Sequence, residues 1–215
     1  MDNLFLNSYS KIPYLNVSRE TCNDFECLIS MIIEKNKEIN IISKKIQQKE
    51  DIRERHIIDS AQIIDFVNLN YNTTCDLGTG GGMPGIIVAI VMKKIKNSMK
   101  VNLYEKSHHK CIFLKEVSKK LNLNTEVIQK DIFTVKNVET GTIMSRAFKP
   151  IPIILDLIND NFKKFENIIL FMGSSGRKIL NDTLQNWDLD YEEKKSLTNE
   201  ESFILNIKKI NKKIS

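Results

Sequence analysis

The segment CDLGTGGGMPGIIVAI, residues 75–90, decides the fold. An apolar run ends at Leu77, five glycines fall within residues 78–85, and a second apolar run follows. Glycine permits a positive φ and lets the backbone approach a ligand closely, and the first turn of a helix presents unpaired N–H groups. We therefore interpret this segment as a strand, a nucleotide-binding loop and a helix.

Around this segment the chain alternates between strand and helix patterns. Strands are predicted at residues 73–77, 100–105, 125–131, 141–147 and 166–173, and helices at 84–96, 108–121 and 152–162. Such alternation is typical of a mostly parallel sheet with right-handed helical crossovers. Two alternating runs at 188–197 and 201–210 predict a C-terminal antiparallel hairpin at the sheet edge.

The first 70 residues have a helical pattern instead. Apolar residues recur at helical spacing after Ser18, which can act as an N-cap, and a second amphipathic pattern covers residues 49–68. We therefore predict an α/β fold in two parts, with an N-terminal helical extension at 1–70 and a nucleotide-binding domain at 71–215.

Composition sets broad limits on function. The chain has 215 residues, is 41% hydrophobic and carries a formal net charge of +5, which suits a globular protein with or without a polyanionic partner. Its four cysteines match no zinc-ligand spacing, so we expect free thiols and no metal site. Because neither a secretory signal nor an apolar run of membrane-spanning length is found, we expect a cytoplasmic protein without a membrane partner.

Asp76 indicates which cofactor the glycine loop takes. Gly80-x-Gly82-x-x-Gly85 matches the dinucleotide fingerprint, but a single match is weak. A carboxylate two residues before Gly78 suits S-adenosylmethionine, whose amino and sulfonium groups are cationic, and would repel the anionic pyrophosphate of NAD. The alternative is that Asp76 only caps the following turn.

Two further carboxylates end predicted strands. Glu105 ends the second strand, where a carboxylate can accept hydrogen bonds from both ribose hydroxyls. Asp131 ends the third strand, where it can meet the adenine edge. The alternatives are a solvated glutamate and an ordinary turn residue.

Four motifs in order resemble one known family. They are "NKEINIIS" at 36–43, "RHIIDS" at 55–60, "DLGTGGGMPGI" at 76–86 and "MSRAF" at 144–148. Together, over about residues 30–175, they resemble the RsmG or GidB family (glucose-inhibited division protein B), the bacterial 16S rRNA guanine-N7 methyltransferases. Without the resemblance, Arg55 and Asp59 would be an ordinary i, i+4 surface pair.

The resemblance implies a Rossmann-like class I methyltransferase fold that uses S-adenosylmethionine. It implies as substrate a guanine in the 530 loop of 16S rRNA, on the small ribosomal subunit, and we expect a monomer. The implied cofactor-binding residues are Asp76, Gly78, Thr79, Gly80, Gly82, Met83, Glu105, Lys130, Asp131 and Arg146. The implied RNA contacts are Arg55, His56, Phe148 and Lys149.

Arg146 is the residue that we expect to act in catalysis, as the first substrate contact. Guanine N7 carries a lone pair and no proton, so its methylation requires no general base, and the enzyme's task is alignment. The alternatives are a structural ion pair for Arg146, a core position for Phe148 and a packed helix histidine for His56.

The sequence departs from the family pattern at two places. Met172-Gly173 stands where the family often has Lys-Gly, so Lys149 or Arg177 would have to supply that charge. Lys130 stands where many members have an arginine. An arginine can bind a substrate group through two hydrogen bonds, and a lysine is a poorer substitute for such a contact.

Three other functions remain open from the sequence. They are a methyltransferase with a different substrate, a non-catalytic ribosome-assembly factor, and a nicotinamide oxidoreductase.

Overall fold

The computed structural model describes residues 9–12, 18–44, 46, 48–96 and 98–213, so residues 1–8 and 13–17 of the predicted extension lie outside the described residues. Nine strands follow in chain order: β1 Thr73–Leu77, β2 Lys100–Glu105, β3 Thr125–Gln129, β4 Val138–Glu139, β5 Thr142–Arg146, β6 Phe162–Lys164, β7 Asn167–Met172, β8 Trp187–Lys195 and β9 Phe203–Lys212. Seven of them form one sheet in the order β3-β2-β1-β5-β7-β9-β8, and β4 pairs with β6.

The sheet is parallel from β3 to β7, and β9 then inserts antiparallel between β7 and β8. This confirms both the parallel core and the C-terminal hairpin that the sequence predicts. Because the parallel strands run in one direction, their carboxyl ends meet at one edge of the sheet, where open α/β folds bind ligands.

Helices cover the sheet and form the extension. They are α1 Arg19–Lys35, α2 Lys49–Ile52, α3 Asp59–Ala61, α4 Gly85–Ile95, α5 His108–Lys120, α6 Ile151–Asn161 and α7 Gly176–Asn186. A π-helical turn at Arg53–Ile58 joins α2 to α3, and short 3₁₀ turns lie at Ile64–Phe66 and Ile132–Thr134. The N-cap prediction for α1 is confirmed, because the Ser18 side chain accepts a hydrogen bond from the Thr21 N–H.

The prediction of one helix over residues 49–68 is wrong in its second half. The continuous helix ends at Ala61, a short 3₁₀ turn follows at Ile64–Phe66, and the chain is extended at Val67. Gln62 donates to the nearby Asp59 carbonyl and accepts from the distant Leu197 N–H at 2.8 Å. The contact with Leu197, between β8 and β9, lies at the end of the helix and cannot be predicted from an apolar stripe alone.

Helix α7 was not predicted from the sequence. It is mostly polar, and the residues it buries are Gly176, Leu180 and Thr183. So few buried positions give a weak periodic signal.

The extension and the sheet domain share one hydrophobic core. Phe25, Leu28 and Ile29 of α1 belong to the same cluster as Ile86 and Ile87 of α4, and all five are fully buried. The division of the chain into an extension at residues 1–70 and a domain at 71–215 stays a prediction.

A buried ion pair joins α1 to the π-helical turn. Arg53, which is 6% exposed, donates from Nε and Nη2 to the two carboxylate oxygens of Glu26 at 2.8 and 3.0 Å. Tyr9 Oη donates to Glu26 at 2.7 Å. Burial alone would raise the pKa of Glu26, but the hydrogen bonds from Arg53 and Tyr9 hold it below its ordinary value. The pair thus fastens the two helical segments together.

Replacing Glu26 by alanine should lower the free energy of unfolding by about 2 kcal/mol, because it removes both hydrogen bonds to the buried Arg53 guanidinium and leaves the longer contact to Glu50 at 3.7 Å. Glu20 is the matched control on the same helix, since both Glu20 and its partner Lys94 are exposed, and its replacement should destabilise the protein much less. Urea unfolding of the two variants measures both effects, and equal losses would contradict the assignment.

Candidate active site

The glycine loop between β1 and α4 has the conformation that its sequence predicts. Gly78, Gly80 and Gly82 have φ values of +66°, +59° and +96°, which other residues adopt only with strain. A Cβ on Gly85 would lie 2.4 Å from Leu103 Cδ2 and 2.9 Å from Asp76 Oδ2. The first turn of α4 can therefore pack against β1 and β2 only without a side chain at this position.

Asp76 holds this loop from inside the protein. Its carboxylate is fully buried, and Oδ2 accepts from Thr79 Oγ1 at 2.6 Å and from the Gly85 N–H at 2.8 Å. Oδ1 has no hydrogen-bond partner among the described residues. Burial raises the pKa of Asp76 to about 6. Asp76 therefore caps the turn, as the alternative interpretation of the sequence predicted. Because the carboxylate is buried, it would influence a ligand in the cavity through its charge.

A cavity of about 530 Å³ opens at the carboxyl ends of β1, β2, β3 and β5. All the predicted cofactor-binding residues except Asp76 and Gly82 line it: Gly78, Thr79, Gly80, Met83, Glu105, Lys130, Asp131 and Arg146. Of the predicted RNA contacts, His56, Phe148 and Lys149 line it and Arg55 does not. The sequence did not predict that Ile41, Ile42, Tyr104, Lys106, Lys110 and Phe133 also form its walls.

Glu105 faces the cavity from the end of β2. Its Oε2 accepts from the Gly80 N–H at 2.9 Å and its Oε1 from the Ser107 N–H at 2.8 Å. Each carboxylate oxygen can accept a second hydrogen bond. Glu105 is therefore both a brace of the glycine loop and an available acceptor for a diol.

Asp131 follows β3 at the same edge and starts the turn at Ile132–Thr134. Its Oδ1 accepts from the Phe133 N–H at 3.2 Å. The side chain of Asp131 thus caps a turn, as the alternative interpretation predicted, and Asp131 also lines the cavity.

Arg146 connects two motifs that are far apart in the sequence. Its Nη1 donates to Ser60 Oγ at 3.3 Å, its Nη2 donates to the Arg55 carbonyl at 2.6 Å, and its Nε lies 3.3 Å from Asp59 Oδ2. Burial lowers the pKa of Arg146, and the charges of Asp59 and Asp76 oppose that effect. The side chain therefore forms a structural ion pair and also lines the cavity.

The turn between β8 and β9 reaches the same network through Asp59. Asp59 Oδ1 accepts from Thr198 Oγ1 at 2.8 Å and from Gln62 Nε2 at 2.9 Å. The carboxylate thus joins the C-terminal hairpin to Arg146. No pattern in the sequence indicated this contact, because more than 130 residues separate its partners.

His56 lies beside Arg146 in the π-helical turn. Both ring nitrogens are buried and have no hydrogen-bond partner among the described residues. Burial, followed by the nearby charges of Arg146 and Arg55, lowers the pKa of His56 to about 4. The imidazole is therefore neutral at pH 7.

Two aromatic rings stand at the cavity mouth. A Cβ on Gly78 would lie 2.1 Å from Phe148 Cδ2, so the ring covers the glycine loop at this point. Phe133 lies at 6.1 Å from Phe148 between ring centroids. Ala147, between Arg146 and Phe148, has a φ of +50°, which is uncommon for a non-glycine residue. This backbone conformation contributes to the orientation of the Arg146 and Phe148 side chains.

Four lysines line the cavity without a side-chain partner anywhere in residues 9–12, 18–44, 46, 48–96 and 98–213. They are Lys106, Lys110, Lys130 and Lys149. Some lysines elsewhere pair with carboxylates, as Lys100 does with Glu126 and Lys212 with Asp156. The four cavity lysines therefore place unpaired positive charge at the opening.

Other kinds of site were sought in the same described ranges. No group of three or more metal-ligating side chains occurs there, and the four cysteines are free thiols. No helix in this part of the chain is long and apolar enough to cross a membrane.

A profile of the GidB family, described as rRNA small subunit methyltransferase G, matches residues 21–207. The chain belongs to the GidB family. It is 58% identical over 213 residues to ribosomal RNA small subunit methyltransferase G of Pelagibacter ubique, covering 99% of this chain and 100% of that protein. It is 30% identical to the protein of the same name from Rickettsia akari, covering 92% and 99%. The family resemblance of the four motifs is thereby confirmed.

Solved structures agree with this GidB fold. A SAM-dependent methyltransferase from Aquifex aeolicus superposes with a TM-score of 0.54 at 15% identity, covering 73% of this chain and 92% of that one. The 16S rRNA methylase RmtB superposes with a TM-score of 0.53 at 9% identity, covering 92% and 78%. The predicted class I methyltransferase fold with its N-terminal extension is confirmed.

The buried carboxylate of Asp76 should make the free energy of unfolding depend on pH. Its folded-state pKa of about 6 lies above the ordinary value of 3.8, so the native state binds the proton more tightly. The free energy of unfolding should therefore fall as pH rises through this interval, by at most about 3 kcal/mol. Asp76→Asn, which keeps an acceptor for Thr79 and Gly85, should lack this component.

Urea unfolding of the wild type and of Asp76→Asn at several pH values between 4 and 7 gives the difference between their free energies of unfolding as a function of pH. A difference that does not change with pH would show that Asp76 keeps its ordinary pKa.

Proposed function

We propose that this protein transfers a methyl group to N7 of a guanine in the 530 loop of 16S rRNA. Membership of a family of rRNA small subunit methyltransferases supports the reaction class. The observation that carries the proposal is the meeting of "RHIIDS", the glycine loop and "SRA" around one cavity, through the bonds of Arg146 to Arg55, Asp59 and Ser60.

S-adenosylmethionine is the cofactor of this fold, and the cavity fits it. Glycines with positive φ let the backbone approach the ligand, and Glu105 retains acceptor capacity for a ribose diol. The buried charge of Asp76, with one unpartnered oxygen, favours a cationic ligand over an anionic pyrophosphate. When bound, this cofactor supplies a methyl group on a positively charged sulfur.

The residues of the chain then have the task of orientation. Guanine N7 has a free lone pair and needs no general base, so alignment accounts for most of the expected rate enhancement. Arg146 is held by Asp59 and Ser60, and each of its terminal nitrogens has a second N–H for the guanine edge or a phosphate. Phe148 is placed to stack on the base.

The neutral ring of His56 suits this chemistry. Methylation at N7 leaves a positive charge on the base. A protonated histidine next to Arg146 would oppose that charge, whereas the imidazole with a pKa of about 4 does not.

The unpaired lysines support an RNA partner. Lys106, Lys110, Lys130 and Lys149 surround the opening through which a base would enter, and phosphates attract such charges. We propose the small ribosomal subunit as partner, a monomer as the active form, and the cytoplasm as the location of the reaction.

The decisive experiment incubates the protein with labelled cofactor and small subunits from a strain that lacks the modification. We expect label in 16S rRNA and one new N7-methylguanine in the 530 loop, mapped by cleavage at the methylated base. Arg146→Lys should reduce the rate by at least about 100-fold, because lysine cannot keep the bonds to both Ser60 and Arg55.

The rival functions predict other outcomes. Label in protein or a small molecule, with none in 16S rRNA, would favour a methyltransferase with a different substrate. Binding to subunits without cofactor affinity would favour an assembly factor. The antiparallel β9 disfavours a nicotinamide oxidoreductase, whose sheet is normally parallel throughout.

The cavity lysines give a separate prediction for RNA binding. Replacing Lys110 and Lys149 by glutamine should reduce the slope of log K against log salt by roughly 0.7 per lysine, as expected for lost contacts to single-stranded phosphates. The matched control replaces Lys100 and Lys212, which pair with carboxylates on the protein, and should leave the slope unchanged. Fluorescence anisotropy with a 530-loop RNA at several salt concentrations measures both, and similar slopes for the two double variants would place the RNA on another surface.

A further inference from the structure

The "NKEINIIS" segment, residues 36–43, follows α1 and contributes Ile41 and Ile42 to the cavity wall. Asn36 ends α1, and its N–H bonds to the Ile32 carbonyl at 2.8 Å. Its side-chain Oδ1 accepts from the backbone N–H groups of Ile41 at 2.8 Å and Ile42 at 3.1 Å. One side chain thus closes this loop on itself.

The closed loop packs directly on the glycine loop. A Cβ on Gly81 would lie 2.8 Å from Ile41 Cγ2 and 2.9 Å from the Ile41 carbonyl oxygen. The two backbones therefore approach each other at a distance that only glycine at this position allows.

Ile41 and Ile42 face the cavity. They are only 5% and 7% exposed, and both line the same cavity as Gly80 and Met83. An apolar wall here excludes water from the side of the cavity formed by the glycine loop. The extension, which precedes the sheet domain in the sequence, supplies this wall.

We propose that Asn36 is a positioning residue for the cofactor, because it seats Ile41 and Ile42 as the wall that completes the S-adenosylmethionine cavity. The inference rests on the proposed function for the identity of the ligand. It assigns to the extension a part in cofactor binding that is separate from RNA contact.

The loop contains its own matched control. Asn40 is exposed and lies four residues after Asn36. Asn36→Ala leaves the Ile42 N–H without its acceptor beside the cavity and leaves the Ile41 N–H with the Ile39 carbonyl at 2.9 Å as its acceptor, whereas Asn40→Ala removes a solvated amide. Asn36→Asp keeps an oxygen acceptor of the same shape and should restore the wall.

The experiment measures binding of S-adenosylhomocysteine by titration calorimetry, thermal unfolding without ligand, and steady-state methylation of small subunits. For Asn36→Ala we expect the dissociation constant of S-adenosylhomocysteine to rise about tenfold, with a similar rise in KM for the cofactor. Its kcat and its affinity for RNA should stay within about twofold of wild type. Asn40→Ala and Asn36→Asp should bind within about twofold of wild type.

Unchanged affinity of a folded Asn36→Ala protein would overturn the proposal, as would a change confined to kcat or to RNA affinity. If Asn36→Ala does not fold, Ile42→Ala tests the same wall by removing its side chain, and unchanged affinity there would also overturn it. The proposed function is tested in the same assays by the wild type. Wild-type binding without methylation of 16S rRNA would reject the RNA substrate and leave the wall assignment to be decided by the binding data.

Discussion

A buried carboxylate controls the shape of the ligand loop. Asp76 lies near the end of a strand that has neighbours on both sides, so its oxygens cannot reach solvent, and Oδ2 accepts hydrogen bonds from Thr79 and Gly85 instead. This pair of bonds holds the loop from β1 to α4, and Phe148 and Ile41 of the cavity wall pack against that loop. Burial raises the pKa of Asp76, because the charged carboxylate is less well solvated than in water.

A second carboxylate joins parts of the chain that are distant in sequence. Asp59 bonds to Arg146 at the end of β5 and to Thr198 in the turn before β9. The extension, the parallel sheet and the C-terminal hairpin therefore meet at one charged cluster beside the cavity. A guanidinium held in this way loses little further freedom when a substrate binds, which is the condition for precise alignment.

Four lysines around the cavity opening are not paired with carboxylates of the described part of the protein. Lysines such as Lys100 and Lys212 are paired in this way, whereas Lys106, Lys110, Lys130 and Lys149 are not. Unpaired lysines beside a cleft can attract a polyanion even when the net charge of the protein is small.

The sequence by itself determined the strand–loop–helix unit, the parallel direction of the core strands and the terminal hairpin. These features depend on local spacing: glycines at 78, 80 and 82, alternating apolar residues, and helical periodicity. Even Glu105 and Arg146 were predictable as cavity residues, because strand ends meet at one edge in any parallel sheet. Only the tertiary structure decided where the helix after residue 49 ends, why Asp59 and Thr198 belong together, and that Ile41 and Ile42 form a cavity wall. These contacts link residues far apart in the chain, and their energies come from packing and hydrogen bonds that no local pattern of residues contains.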